Sequence, residues 1–262
     1  MTPSETVKAC CAAAYEHDAV ALILGASYHP GGLRLTRHLA VSAEIAPGQR
    51  VLDIASGPGS TALLLADELG VDVDGVDLGA VSVERATAAA LERNLGDRVR
   101  FRVGDAERLP FPDDSFDAVI SECAFCTFPD KATAAAEMAR VVKPGGRVGL
   151  TDMTVDPRYL DAELRSLAGW IACLADARPL DEYAAIFREA GLRVTRVESH
   201  DDTVEEMIDR IEARLVFLRL ARSPVLVDVD VDAVYAGVDL ARRAVADGYL
   251  GYGLLVADRP GA

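Results

Sequence analysis

The chain has 262 residues, half of them hydrophobic, and a formal charge of −15. That composition supports a large core and excludes a nucleic-acid partner or an anionic bilayer surface, since both need clustered Lys and Arg. No run approaches the ~20 apolar residues of a membrane span, and residues 1–8 lack the basic-then-apolar pattern of a secretory leader. Five scattered cysteines suggest no disulfide framework. The expectation is a reduced, cytoplasmic, enzyme-sized protein acting on a small molecule, its oligomeric state left open.

Residues 1–24 read as helical and are closed by Gly25. His29-Pro30-Gly31-Gly32 is a loop ahead of a helix over 33–45, and Pro47-Gly48 turns the chain into its first strand. Val51-Leu52-Asp53-Ile54 is a short apolar run with an acid inside it, the pattern of a strand buried on both faces. The small residues of 55–59 follow, then an Ala- and Leu-rich helix from 60 to 70. A second strand over 71–76 ends at Asp77, a helix spans 81–95, and a third strand over 99–103 runs into Gly104-Asp105. Residues 116–120 form a fourth strand. A helix over 132–142 is stopped by Pro144-Gly145-Gly146, and 147–151 is a fifth strand. Beyond it, 156–180 holds Trp170 and Cys173 in an apolar stretch suited to covering the sheet edge. A helix over 181–190 and a sixth strand over 192–197 come next. The following helix is expected to open on Thr203 and Glu206 as a capping box. A helix over 232–247 and a last strand over 249–257 complete the chain. Such alternation implies one α/β domain with a mostly parallel, Rossmann-like sheet and helices on both faces. Residues 1–46 form a helical cover, 47–200 the core, and 201–262 the closing helices and strand.

Asp53, Asp77 and Asp105 fall at the carboxyl ends of successive strands, where open parallel sheets bind ligands. Each alone is a common cap or turn residue, but three in succession after a glycine turn are hard to obtain by chance. The glycines let backbone approach a ligand, and free N–H groups at the helix start attract negative charge. Asp77, 24 residues after Asp53, suits a carboxylate accepting from both ribose hydroxyls. Asp105 can accept from an adenine amine, with the Ala106 N–H donating nearby. A dinucleotide site competes, but the third glycine of its signature falls at Ala62.

Four stretches carry a resemblance to a known family. They are Val51-Leu52-Asp53-Ile54-Ala55-Ser56-Gly57-Pro58-Gly59, Gly75-Val76-Asp77-Leu78, Gly104-Asp105-Ala106-Glu107-Arg108-Leu109-Pro110-Phe111, and Val142-Lys143-Pro144-Gly145-Gly146-Arg147. Together they resemble the class I S-adenosylmethionine-dependent methyltransferases over roughly 47–200, with Ala55 where the family commonly has its first glycine. The resemblance implies a seven-stranded sheet whose last strand is antiparallel, and S-adenosylmethionine as cofactor. It puts Gly57 and Gly59 at the methionine moiety, Asp77 at the ribose, and Asp105 with Ala106 at the adenine. Asp53, Ala55, Leu78 and Glu122 complete the expected cofactor site, and His29 is placed to close over it.

Cys123 and Cys126 follow the fourth strand, and Cys173 lies in the segment after the fifth. This layout resembles the arsenite methyltransferases, and on that resemblance Cys123 and Cys173 are the two thiols that hold trivalent arsenic, with Cys126 a third. Soft thiolates suit a thiophilic centre, and a sulfur-held arsenic keeps a lone pair that attacks the methyl without a general base. None of the four histidines (His17, His29, His38, His200) falls within the core motifs. The bland alternative is that these cysteines are small buried hydrophobes. A zinc site is not expected, because Cys123-x-x-Cys126 has no second ligand pair nearby. Methylation at O, N or C of a metabolite, and non-catalytic binding of the cofactor, remain the competing functions.

Overall fold

The computed structural model describes residues 3–25, 27–159, 176–227 and 229–261. Its centre is β1 (Arg50–Ile54), in which every residue after Arg50 is buried. Such a strand must be covered on both faces, and the chain supplies neighbours on each side. β2 (Asp72–Asp77) and β3 (Val99–Val103) build outward in parallel on one side, and β4 (Phe116–Glu122) and β5 (Val142–Val155) on the other. β7 (Leu250–Asp258) runs antiparallel between β5 and β6 (Arg193–Ser199), giving the order β3-β2-β1-β4-β5-β7-β6. The seven-stranded, mostly parallel sheet is the expected fold. All nine residues of β7 are buried although it is the last strand in the chain. The direction of strand addition reverses between β1 and β4, and the crevice at their carboxyl ends is where such sheets take ligands.

The helices are α1 (Pro3–Tyr15), α2 (Asp18–Leu24), α3 (Gly32–Ser42), α4 (Ser60–Leu69), α5 (Ala80–Glu92), α6 (Lys131–Val141), α7 (Leu180–Glu189), α8 (Asp202–Leu220) and α9 (Val231–Ala246). Three local expectations are corrected. Residues 1–24 are not one helix: the chain breaks at Glu16-His17, where the His17 imidazole caps α2 by accepting from Ala19 N–H at 3.1 Å. β5 starts at Val142 rather than 147, because Gly145 and Gly146 exchange backbone hydrogen bonds with Arg259 instead of leaving the sheet. The Thr203 hydroxyl donates back to the His200 carbonyl at 2.6 Å, so no capping box forms. The preceding Asp201 carboxylate is held by Tyr252 N–H and the Ser199 hydroxyl.

Among the described residues no helix is long and apolar enough to cross a membrane. Cys173 and Trp170 lie outside the described residues.

Candidate active site

The turn after β1 sets the floor of the site. Ala55, Gly57 and Gly59 all have positive φ (57°, 51° and 82°), so the backbone coils tightly before α4 begins. The two glycines are glycine for different reasons. At Gly57 a Cβ would meet nothing within 4 Å, so the space above it is open. At Gly59 a Cβ would come within 2.6 Å of the Phe101 ring and 3.0 Å of Ala86, so packing demands it.

Asp77, the last residue of β2, ties the turn together. One carboxylate oxygen accepts from Gly57 N–H and the other from Gly79 N–H, each at 2.8 Å. Burial pushes its carboxyl above the ordinary range, and the two backbone bonds oppose that. Asp53 is more extreme. It is buried inside β1, and desolvation first, then the charges of Glu122 and Asp77, raise its carboxyl well above the usual value. Among the described residues the buried side-chain nitrogen and oxygen atoms with no hydrogen-bond partner are Ser27 Oγ, Asp53 Oδ2 and Ser56 Oγ, and both Asp53 and Ser56 line the cavity.

Glu122 ends β4 beside this turn and is almost wholly buried. Its Oε2 accepts from the hydroxyls of Thr61 (2.6 Å) and Thr36 (2.9 Å), and its Oε1 from Thr151 (3.3 Å). His29 Nε2 stands 3.5 Å from the same carboxylate and 3.4 Å from Thr36 Oγ1. His29 Nδ1 is 3.1 Å from the Pro30 carbonyl. The Pro30 carbonyl at Nδ1, and at Nε2 the Glu122 carboxylate and the Thr36 oxygen whose hydrogen goes to Glu122, are all acceptors facing the ring.

The opposite wall comes from the N-terminus. Lys8 of α1 reaches the loop after β3, with Nζ 2.8 Å from Asp105 and 2.5 Å from Glu107. Cys11, Ala12 and Tyr15 of the same helix face the same space, as does Tyr28, whose ring stacks against Tyr15 at 6.3 Å. Burial pushes the Tyr28 hydroxyl up. Cys123 has positive φ (54°), is held by its N–H to the Thr151 carbonyl, and lines the cavity with Ala124, Thr127 and Phe128.

These walls enclose about 1150 Å³ of space open to solvent. Asp53, Ala55, Gly57, Asp77, Leu78, Asp105, Ala106, Glu122, His29 and Cys123 all line it. Gly59 and Cys126 do not. Gly59 stands behind the turn at the start of α4. Cys126 is buried, its N–H bonded to Asp152 and its carbonyl to Lys131. Phe125 is likewise in the core, edge-on to Phe128 and Tyr183. Sequence reasoning missed Lys8, Tyr15 and Tyr28 as site residues. Their only signal was polar and aromatic residues in a terminal segment, and nothing local says which way that segment folds back.

Residues 52–150 match the model of a methyltransferase domain. The chain is 33% identical over 231 residues to the 27-O-demethylrifamycin SV methyltransferase of Amycolatopsis mediterranei, covering 87% of this chain and 83% of that protein. The chain belongs to the S-adenosylmethionine-dependent methyltransferases. An arsenite methyltransferase of Halobacterium salinarum is 32% identical over 64% of this chain, which spans 43% of that protein's length. In fold, this methyltransferase superposes on phosphoethanolamine N-methyltransferase 2 of Haemonchus contortus, solved with S-adenosyl-L-methionine, with a TM-score of 0.79. That likeness covers 92% of this chain and 56% of that one at 24% identity.

The residues of the methyltransferase's cavity fit the cofactor. An orphaned buried carboxyl oxygen on Asp53, beside Asp77 and Glu122, is an unsatisfied polar site that a cationic ligand would complete, favouring the ionised form that burial opposes. The open space over Gly57 admits a chain running close to the backbone.

Proposed function

We propose that this methyltransferase moves a methyl group to a hydroxyl of a small organic metabolite. The single observation that carries this reading is the pairing of His29, buried in the cavity wall, with the Glu122 carboxylate 3.5 Å from its Nε2. S-adenosylmethionine, when bound, supplies an electrophilic methyl on a sulfonium centre. Asp77 holds the ribose hydroxyls with the lone pairs its backbone bonds leave over, and Asp105 with Ala106 receives the adenine. The Glu122 carboxylate faces the cationic end, and Asp53 offers its unpaired oxygen there. Leu78 and Ala55 line the passage between these groups, while Gly59 keeps α4 close enough for Gly57 to meet the ligand.

On the acceptor side, Ala12, Tyr15, Tyr28 and Phe128 give an apolar, aromatic wall suited to an organic ring system. The His29–Glu122 pair would take up the hydroxyl proton as the oxygen bonds to the methyl and the methyl–sulfur bond breaks. The rest of the rate enhancement comes from holding the two reactants in line. The rifamycin relative, whose name describes methylation at oxygen, supports this class of acceptor.

The test is a screen of hydroxylated polyketides and phenols with isotopically labelled S-adenosylmethionine, read by mass spectrometry, followed by His29→Ala. Turnover should fall by roughly 100- to 10,000-fold, the usual contribution of a general base, with cofactor affinity by calorimetry unchanged. Undiminished turnover in the variant would remove His29 from the chemistry.

A second reading has its own observation: Cys11 of the N-terminal helical cover and Cys123 of the core line the same cavity. They would supply two thiols for trivalent arsenic, whose lone pair accepts the methyl directly, with Cys173 the further thiol that the family resemblance implies; Cys126 is too deep in the core to join them. The arsenite relative supports this reading. Arsenite methylation that survives replacing Cys11, Cys123 and Cys173 together by Ser would rule the thiolate mechanism out.

A further inference from the structure

Outside the cavity, two histidines and a carboxylate from distant parts of the chain converge on one point. His38 projects from α3, Glu198 from β6, and His200 follows β6 directly. His38 Nε2 is 2.6 Å and His200 Nε2 3.3 Å from the same atom, Glu198 Oε2. One ligand atom from each residue lies within 4.8 Å of the others, and the imidazole rings meet edge to face at 5.5 Å. All three side chains are partly buried, and none lines the methyl-transfer cavity.

We infer that His38, Glu198 and His200 form a binding site for a borderline divalent metal ion of the zinc and cobalt class. Imidazole nitrogens with one carboxylate oxygen are the donor set such ions prefer. Ligand distances near 2.0–2.1 Å put tetrahedral donors about 3.3 Å apart, the separation of His200 Nε2 from Glu198 Oε2, while His38 Nε2 at 2.6 Å would move outward to admit the ion. The fourth position faces solvent, since the His38 side chain is 42% exposed.

The supporting contacts fit the role. Arg196 engages the other oxygen of Glu198, Oε1, at 2.6 Å, which orients the carboxylate and leaves Oε2 for the ion. The backbone of His200 is pinned on both sides: its N–H donates to the Tyr252 carbonyl, and its carbonyl accepts from Thr203. The His38 and Glu198 ligands are 160 positions apart in sequence. A bound ion therefore staples α3 to the edge of the sheet. Because α3 also carries Thr36, which holds Glu122 in the cavity, the staple steadies a helix on which the active site depends. The inference does not rest on the identity of the methyl acceptor.

The experiment uses the untagged, metal-stripped full chain titrated with Co²⁺ and then Zn²⁺. One equivalent of Co²⁺ should give visible d–d bands without a thiolate-to-cobalt charge-transfer band. Zn²⁺ should displace it and raise the melting temperature. In a His38→Gln, His200→Gln double variant, affinity should fall by more than the roughly 10–100-fold that losing an outer-shell partner costs. Glu198→Gln, which keeps the size of the side chain, should weaken binding in the same direction and serves if the double variant fails to fold. A thiolate band, absence of the d–d bands, or unchanged affinity in either variant would overturn the site.

Discussion

The two walls of the cavity are built in different ways. The cofactor wall is mostly backbone: a turn at positive φ, held to the ends of β1 and β2 by strand register and by Asp77 bonds to two amides. The acceptor wall is mostly side chain, and its ties cross the chain. Lys8 reaches 97 positions to Asp105, and Thr36 reaches 86 to Glu122. A backbone wall presents the same shape whatever the neighbouring side chains are. A side-chain wall can be re-cut by single substitutions, which suits a fold whose members share one methyl donor but differ in acceptor.

The contrast can be broken most severely at Asp77. Asp77→Ala frees two backbone amides and removes the carboxylate proposed to hold the ribose. Charge-assisted bonds contribute ~1.5–3 kcal/mol each, so calorimetry should show cofactor affinity falling by roughly 100-fold or more. Affinity within a few-fold of wild type would mean that the cofactor wall does not depend on this carboxylate.

The glycines test whether ligand space and packing separate on that wall. Gly59→Ala should cost ~1–3 kcal/mol in urea unfolding, from strain at a left-handed position with the Phe101 ring in the way. Gly57→Ala meets no neighbour and should cost only about 1 kcal/mol of backbone strain, yet lower cofactor affinity more than Gly59→Ala does. Equal stability losses would merge the two roles.

Asp53 carries a pH signature. Its carboxyl is raised in the folded state by burial and by Glu122 and Asp77, so the folded protein binds this proton more tightly than the unfolded chain does. The ionised group therefore costs stability at pH above its folded value. That cost fades as pH falls through the raised value towards the ordinary carboxylate range. Asp53→Asn should melt at a higher temperature than wild type at pH 8, and the gap should close on acidification. A gap that widens at low pH would reverse the sign assigned here.

The smallest effect belongs to the acceptor wall. Lys8→Ala removes the ion pairs to Asp105 and Glu107, partly solvated contacts worth about 1 kcal/mol or less. Global stability should barely change, while amide exchange in α1 speeds up. Unchanged exchange there would show that α1 docks without the Lys8 tie.

The sequence by itself determined the strands of the sheet and the turn and strand-end acids that line the cavity, because both are local. A buried strand, a turn of small residues and a strand-end acid sit within a few positions of one another, and periodicity with turn chemistry reads them directly. β1, Gly57, Asp77 and Asp105 were visible for that reason. Tertiary structure decided the rest. Cys123 and Cys126 look equivalent in sequence, yet one lines the cavity and the other is buried, because the positive φ at Cys123 turns the chain and Asp152 anchors the Cys126 amide. Cys11, Lys8 and the Tyr15–Tyr28 stack reach the site only because α1 folds back over the strand ends. His38 meets Glu198 and His200 only because β7 draws β6 to the edge beside it. Long-range side-chain meetings leave no periodic trace in a sequence, since the register of a distant strand, rather than any local preference, brings them together.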